Sequence, residues 1–177
     1  MTDDLRAMYR HLDTLTDRPD LARLLEDLSR FKIGLDDLSE HLHFAEGGYK
    51  RNLARSAPNY HVWVLCWKNG QRSPIHDHSG STCVVRVLRG TLTETLFEMA
   101  PNGHVKASFS RDMAEGSVIG SEDADLHQVS NLQADDADLV TLHVYTPPLT
   151  RMTTYSMYDL GRRHEVWIPE FSDAAGI

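Results

Sequence analysis

The sequence contains few cysteines, which limits how the chain can be cross-linked. Cys66 and Cys83 are the two cysteines among 177 residues. Small secreted proteins that depend on a disulfide framework carry more, so we expect a cytoplasmic protein stabilised by its core. A chain of this length suits one domain and can bury roughly 70% of the surface of its unfolded form.

Basic residues are scarce relative to acidic ones. The chain has 18 Lys and Arg against 26 Asp and Glu, a net charge of -8. Because a negative surface repels polyanions, we expect no nucleic acid and no anionic membrane as partner. No apolar run approaches the length of a membrane span, and the first residues lack the basic and apolar regions of a secretion signal.

Helical periodicity dominates the N-terminal region. Two amphipathic helices are predicted from apolar residues at helical spacing: Leu5, Met8, Tyr9 and Leu12, then Leu21, Leu24, Leu25 and Leu28. Pro19 suits the first turn of the second helix. Gly34 would end that helix, before a shorter one that carries Leu35, Leu38 and Leu42.

From Tyr60 onward the period changes to short runs rich in β-forming residues, divided by turn residues. The predicted strands cover residues 60–65, 83–88, 91–97, 117–119 and 139–145. Many short strands at regular spacing are typical of a sandwich or a closed barrel. We therefore predict a single domain, in which helices of residues 1–45 pack on a β-barrel of residues 46–177.

Ten histidines are the unusual feature of the composition. His76 and His78 follow Pro74-Ile75 in strand-like sequence, where residues two apart point to the same face and can converge on one metal ion. His41 and His43 have the same spacing but lie in a predicted helix, where such residues diverge, so we expect no site there.

A longer pattern surrounds the first histidine pair. Gly70, five residues, His76-x-His78, four residues, Cys83, six residues and Gly90 follow one another in that order. This spacing resembles the first cupin motif, with Cys83 in the place of the usual glutamate ligand.

A second pattern follows further along the chain. Gly116, ten residues, His127, three residues and Asn131 resemble the second cupin motif, although Glu122 and Ala124 stand where that motif has an inner Pro-x-Gly. Together the two motifs imply that His127 joins the first histidine pair on one metal-binding face.

Three imidazoles without a carboxylate leave such a site one charge more positive than the two-histidine, one-carboxylate set of many iron(II) oxygenases. A site of this kind favours an anionic ligand such as a thiolate. Zinc also accepts three histidines, so the residues themselves leave the metal open.

The chain resembles the cysteine dioxygenase family from about Gly47 to Pro148. The resemblance is carried by residues 49–53 (YKRNL), 65–67 (LCW), 74–78 (PIHDH), 126–129 (LHQV) and 142–148 (LHVYTPP). It implies a mainly β cupin fold, a jelly-roll barrel preceded by a short N-terminal α-helical segment. It also implies iron(II), Fe(2+), held by His76, His78 and His127, and oxidation of the L-cysteine thiol to cysteine sulfinic acid with both atoms of O2.

The resemblance assigns substrate binding to Arg51, with Tyr49 beside it. A guanidinium can donate two parallel hydrogen bonds to a carboxylate. Related dioxygenases that act on 3-mercaptopropionate usually carry glutamine at this position, so Arg51 favours cysteine. Taken without its matching neighbours, an arginine is more often a solvated surface residue.

The resemblance also links Cys83 with Tyr145, the pair that forms a thioether cross-link beside the iron in animal members. The alternative for Cys83 is a small buried hydrophobic residue. Tyr145 would donate a hydrogen bond to bound substrate and oxygen, and His143 would orient it in a relay that begins at Thr141. The family also implies a cis peptide bond at Thr146-Pro147.

Two other functions stay open at this point. One is dioxygenation of 3-mercaptopropionate or cysteamine, and the other is a non-catalytic cupin that binds zinc or a small ligand. The expected partners are small molecules, L-cysteine and O2, and the expected state is a monomer.

Overall fold

The computed structural model describes residues 2–122, 125–158 and 163–167. Helix α1 covers Asp3–Leu12, helix α2 covers Leu21–Ser29, and a 3₁₀ helix covers Leu35–His41. The Asp20 side chain accepts hydrogen bonds from the backbone amides of Ala22 and Arg23 and fixes the start of α2. Pro19 therefore precedes the helix, and its expected place in the first turn was wrong.

Eleven strands are found in the described residues. They are β1 (Lys50–Ala57), β2 (Tyr60–Trp67), β3 (Ile75–His76), β4 (Thr82–Arg89), β5 (Thr91–Met99), β6 (Val105–Ala114), β7 (Val118–Ser121), β8 (Leu126–Ser130), β9 (Leu139–Thr146), β10 (Arg151–Tyr155) and β11 (Arg163–Trp167). They form a five-stranded sheet in the order β1-β2-β9-β4-β7 and a six-stranded sheet in the order β11-β10-β3-β8-β5-β6. All pairings are antiparallel, so the mainly β class was predicted correctly.

Strands β1 and β6 were not predicted from the sequence. In β6, seven consecutive residues between Val105 and Met113 are exposed, because the strand lies at the edge of its sheet. Its side chains consequently lack the alternation of apolar and polar residues that marks a half-buried strand. Strand β1 begins at Lys50 and is also largely polar.

The five-stranded sheet separates two apolar clusters. On β2, Val62, Val64 and Cys66 belong to the cluster shared with the helices, whereas the intervening Trp63 and Leu65 belong to the cluster on the other face. Successive residues of a strand point to opposite faces. The helices therefore cover one face of this sheet, and the other face lines the interior of the barrel.

Helix α2 lies close to this sheet. At Gly120 in β7, a Cβ atom would lie 2.4 Å from Leu21 Cδ1 and 3.2 Å from Leu25 Cγ.

In the part of the chain that the structure describes, no helix has both the length and the apolar character needed to cross a membrane. The domain boundary at residue 46 stays a prediction.

Candidate metal centre

Three buried histidines meet inside the barrel. His76 in β3 lies directly opposite His127 in β8, and His78 follows two residues after His76. Their ring centroids are 4.6 to 5.3 Å apart, and one nitrogen from each ring lies within 4.8 Å of the other two. Strand β3 ends at His76, so His78 lies beyond the strand. The rings of His76 and His78 therefore converge without the continuous strand that the spacing suggested.

A different group holds the Nδ1 atom of each ring. Nδ1 of His76 is 2.9 Å from the Pro74 carbonyl oxygen, Nδ1 of His127 is 2.9 Å from Glu94 Oε1, and Nδ1 of His78 is 3.2 Å from Ser121 Oγ. A carbonyl and an ionised carboxylate only accept, so the hydrogens of His76 and His127 belong on Nδ1. The Nε2 lone pairs of these two rings are therefore available to a metal ion.

The surroundings favour the neutral form of His76 and His78. Burial, with the nearby His127, lowers the pKa of His76 to about 3, and burial together with the neighbouring histidines lowers the pKa of His78 well below its usual value. Neutral imidazole is the form that binds metal ions.

The geometry fits a divalent metal ion. Nε2 of His78 lies 3.2 Å from Nε2 of His127, a distance at which two lone pairs repel unless a hydrogen or a cation lies between them. Three imidazole nitrogen donors suit Fe(2+) and Zn(2+) alike.

Glu94 in β5 was missed in the sequence analysis. Its side chain is 1% exposed, and its Oε2 atom accepts from Nε and Nη2 of Arg111 at 2.9 and 2.6 Å. Burial raises the pKa of this carboxyl, but the hydrogen bonds and charges of His127 and Arg111 outweigh it and hold the pKa below its usual value. The signal in the sequence was the position of Glu94, two residues after Leu92 on the inward face of the strand.

Arg51 in β1 lines the same cavity as the three histidines. Its side chain is buried, and its Cζ atom lies 4.6 Å from the ring centroid of Trp63. Among the residues that the structure describes, Nε and Nη2 of Arg51 have no hydrogen-bond partner. A buried guanidinium with unpaired donors has the charge and the hydrogen-bonding capacity to bind an anion.

Tyr49 and Trp67 form one wall of this cavity. Their rings stack with centroids 4.1 Å apart, and Nε1 of Trp67 donates to Oγ1 of Thr141 at 3.0 Å. The cavity is small, which suits a small ligand.

The predicted relay on β9 is present as a chain of hydrogen bonds. His143 Nε2 lies 2.8 Å from Thr141 Oγ1, and His143 Nδ1 lies 3.3 Å from the Tyr145 hydroxyl. Since the Trp67 indole only donates, the Thr141 hydroxyl can give its own hydrogen to His143 Nε2. The hydrogen on His143 Nδ1 then faces Tyr145, and the phenol hydrogen points away from His143, on the side of Cys83.

Cys83 and Tyr145 are directly opposite each other on β4 and β9, and their side chains are hydrogen-bonded. Burial raises the pKa of the Cys83 thiol well above its usual range, so the thiol is neutral. The Tyr145 ring lies 5.7 Å from the ring of His78, which puts the pair beside the candidate metal centre. The Thr146-Pro147 peptide bond is cis, as expected.

Comparison with known proteins agrees with this geometry. The model of the family "Cysteine dioxygenase type I" matches residues 22–158, more than half of the chain. Human cysteine dioxygenase type 1 is 36% identical over 110 residues, covering 59% of this chain and 54% of the human protein. The zebrafish (Danio rerio) cysteine dioxygenase type 1 is 30% identical over 129 residues, covering 67% of this chain and 61% of that protein.

The chain thus spans between half and two thirds of the length of these curated relatives. Among solved structures, a Klebsiella pneumoniae protein described as having a double-stranded β-helix domain superposes with a TM-score of 0.54 at 15% identity, covering 67% of this chain and 88% of that one. This likeness concerns the fold, and the predicted cupin fold is confirmed. By the family match, the chain belongs to the cysteine dioxygenase type I family.

Proposed function

We propose that this protein uses Fe(2+) and O2 to oxidise the thiol of L-cysteine to cysteine sulfinic acid. The observation that carries the proposal is Arg51, a buried guanidinium with unpaired donors that lines the same cavity as three buried histidines. An anionic carboxylate and a metal-binding thiolate in one small molecule satisfy both groups together. The family match supports the same reaction.

His76, His78 and His127 would hold the iron through Nε2. Bound there, Fe(2+) favours the thiolate form of the substrate and brings sulfur and O2 together. The reaction balances as one thiol and one O2 giving one sulfinic acid, so it consumes no further reductant.

The protein residues position the substrate and supply a hydrogen bond. Arg51 binds the carboxylate in a buried site, where charge-assisted hydrogen bonds are stronger than in water. The phenol hydrogen of Tyr145, which does not face His143, would turn from Cys83 to donate to bound substrate or oxygen. The stacked Tyr49 and Trp67 rings keep bulk water from this side of the cavity.

The donors of Arg51 also bear on the alternative substrates. 3-Mercaptopropionate carries a carboxylate that Arg51 can bind, whereas cysteamine does not. Arg51 therefore favours a thiol with a carboxylate, and the choice between cysteine and 3-mercaptopropionate depends on the amine.

The test is anaerobic loading with Fe(2+), followed by O2-uptake measurements with cysteine, 3-mercaptopropionate and cysteamine. We expect the highest kcat/KM with cysteine and, from labelled O2, a product that carries both labelled atoms on sulfur. A clear preference for cysteamine would contradict the role of Arg51. Full occupancy by zinc, with no oxidation of any thiol after iron reconstitution, would favour a non-catalytic cupin instead.

A further inference from the structure

The three histidines differ in the charge of the group behind each ring. His76 is held by a neutral carbonyl and His78 by a neutral hydroxyl, whereas His127 is held by the Glu94 carboxylate. All three rings offer an imidazole nitrogen to the centre, but only the ring of His127 has a negatively charged group on its other nitrogen.

We propose that Glu94 is a positioning residue of the metal centre, and that its charge, acting through His127, provides the negative charge that the three imidazoles lack. The inference rests on the metal centre of the proposed function and deepens it. In sites with two histidines and one carboxylate, the carboxylate ligand offsets part of the charge of the metal ion. Here Glu94, which would not contact the metal, offsets it through His127.

Burial makes a purely structural role for this carboxylate unfavourable. Glu94 is 1% exposed and lies two residues from Leu92, which belongs to the apolar cluster inside the barrel. An apolar residue there would avoid the cost of desolvating a charge. The carboxylate is compatible with this place because each oxygen has a specific partner, His127 Nδ1 on Oε1 and Arg111 on Oε2.

Arg111 fixes the orientation of the carboxylate. Its Nε and Nη2 atoms both donate to Oε2, and its side chain is 42% exposed at the edge strand β6. Oε1 is left directed at His127, so the ring cannot rotate without breaking a charge-assisted hydrogen bond.

A carboxylate that accepts from Nδ1–H makes the imidazole a stronger donor at Nε2. Such outer partners of metal-binding histidines typically change metal affinity or activity by about 10–100-fold when they are mutated. The added negative charge also favours the more positive oxidation state of a bound ion. Both effects should be larger at His127 than at His78, whose partners, the Ser121 hydroxyl and the Glu122 backbone, are neutral.

The test compares Glu94→Gln with Ser121→Ala, which removes the neutral partner of His78. The readouts are the dissociation constant for Fe(2+), measured anaerobically against a competing chelator, and the midpoint potential of the bound iron. We expect Glu94→Gln to weaken Fe(2+) binding about 10–100-fold and to make the potential more positive, and Ser121→Ala to change both much less.

Wild-type affinity and potential in Glu94→Gln would overturn the inference, as would equal changes in the two variants. Glu94→Asp, which keeps the charge but shortens its reach, should fall between wild type and Glu94→Gln. If Glu94→Gln fails to fold, an unchanged potential in Glu94→Asp overturns the inference equally. A failure of the proposed function would give a different result: the wild-type protein would bind Fe(2+) no more tightly than the His127→Ala variant does.

Discussion

At the scale of single residues, Arg51 has the least ordinary environment in the site. A cation in the interior normally pairs with an acid, but its Nε and Nη2 atoms have no hydrogen-bond partner among the described residues. The face of Trp63 offsets part of the cost of desolvation through a cation–π contact. Under the proposed function, an anionic substrate would complete the pairing, and Arg51 would then determine specificity.

We expect Arg51→Ala to lower kcat/KM for cysteine, mainly through KM, by an amount equivalent to about 2–5 kcal/mol, because a desolvated charge pair is lost. Arg51→Lys keeps the charge without the planar fork and should fall between the two. Steady-state O2 uptake measures the effect, with cysteamine as the control substrate that should be little affected. An unchanged KM for cysteine would remove Arg51 from substrate binding.

Cys83 and Tyr145 give a second prediction at this scale. If they form a thioether, intact-mass spectrometry after turnover should show a species lighter by two hydrogens, which Cys83→Ala abolishes while Fe(2+) binding persists. Cys66→Ala is the matched control, since Cys66 lies on the opposite face of the sheet, in the cluster shared with the helices. Persistence of the lighter species in Cys83→Ala would exclude this pairing.

The residues of the site were predictable to different degrees. His76, His78 and His127 could be grouped because their spacing to the surrounding glycines resembles the two cupin motifs. Glu94 could not, because its role depends on strand β8 lying beside β5, which no local pattern encodes. The contact of Trp63 with Arg51 likewise depends on the pairing of β1 with β2, and β1 was not predicted at all.

At the scale of elements, the turn between β4 and β5 depends on Gly90. Its φ of +81° lies in the left-handed region, and a Cβ atom there would be 2.7 Å from the Asp138 carbonyl oxygen and 2.7 Å from Gln133 Nε2. The backbone of β4 and β5 therefore needs a glycine both for conformation and for space.

Gly90→Ala should destabilise the protein by more than Gly116→Ala, which is the matched control. Gly116 has a φ of +87° but open space around a Cβ, so that its replacement costs only the left-handed strain, about 1–2 kcal/mol. Urea unfolding of both variants measures the difference. Equal losses would show that the backbone near Asp138 yields without cost.

The elements that were predicted are those with a strong apolar period. Strands β2, β4 and β9 are almost wholly buried, and their runs of Val, Leu and aromatic residues marked them. The order of the strands was not predictable in this way, since it depends on contacts between distant segments.

At the scale of the whole molecule, a polar cluster joins the helical layer to the five-stranded sheet. Asp13, which caps the end of α1, accepts from the Tyr60 hydroxyl at 2.6 Å and from Arg55 Nη2 at 2.9 to 3.0 Å. The hydrogen bond from Tyr60 is the largest cause that lowers the pKa of Asp13; burial opposes it and Arg55 adds to it.

This shift predicts how stability depends on pH. Because the pKa of Asp13 is lower in the folded than in the unfolded state, its contribution is fully present above the unfolded value, about 3.9, and is lost as the pH falls through the folded value. Asp13→Asn should therefore be less stable than wild type at pH 7, and the difference should shrink in acid. Urea unfolding at pH 7 and pH 3 tests this, with the exposed Asp17→Asn as control; a difference that stays constant with pH would contradict it.

Strand β9 has a consequence for how the site is prepared. It lies in the middle of its sheet, paired with β2 on one side and β4 on the other, and carries Thr141, His143 and Tyr145 on one face. Because β9 is paired with a strand on each side, its backbone has little freedom to adjust. The hydrogen-bonded side chains of Thr141, His143 and Tyr145 are therefore oriented when the protein folds, before any ligand binds. Under the proposed function, the wall of the cavity would adjust to an incoming molecule at other residues, such as Met152 on β10, and Tyr145 would be the fixed group against which the substrate is aligned.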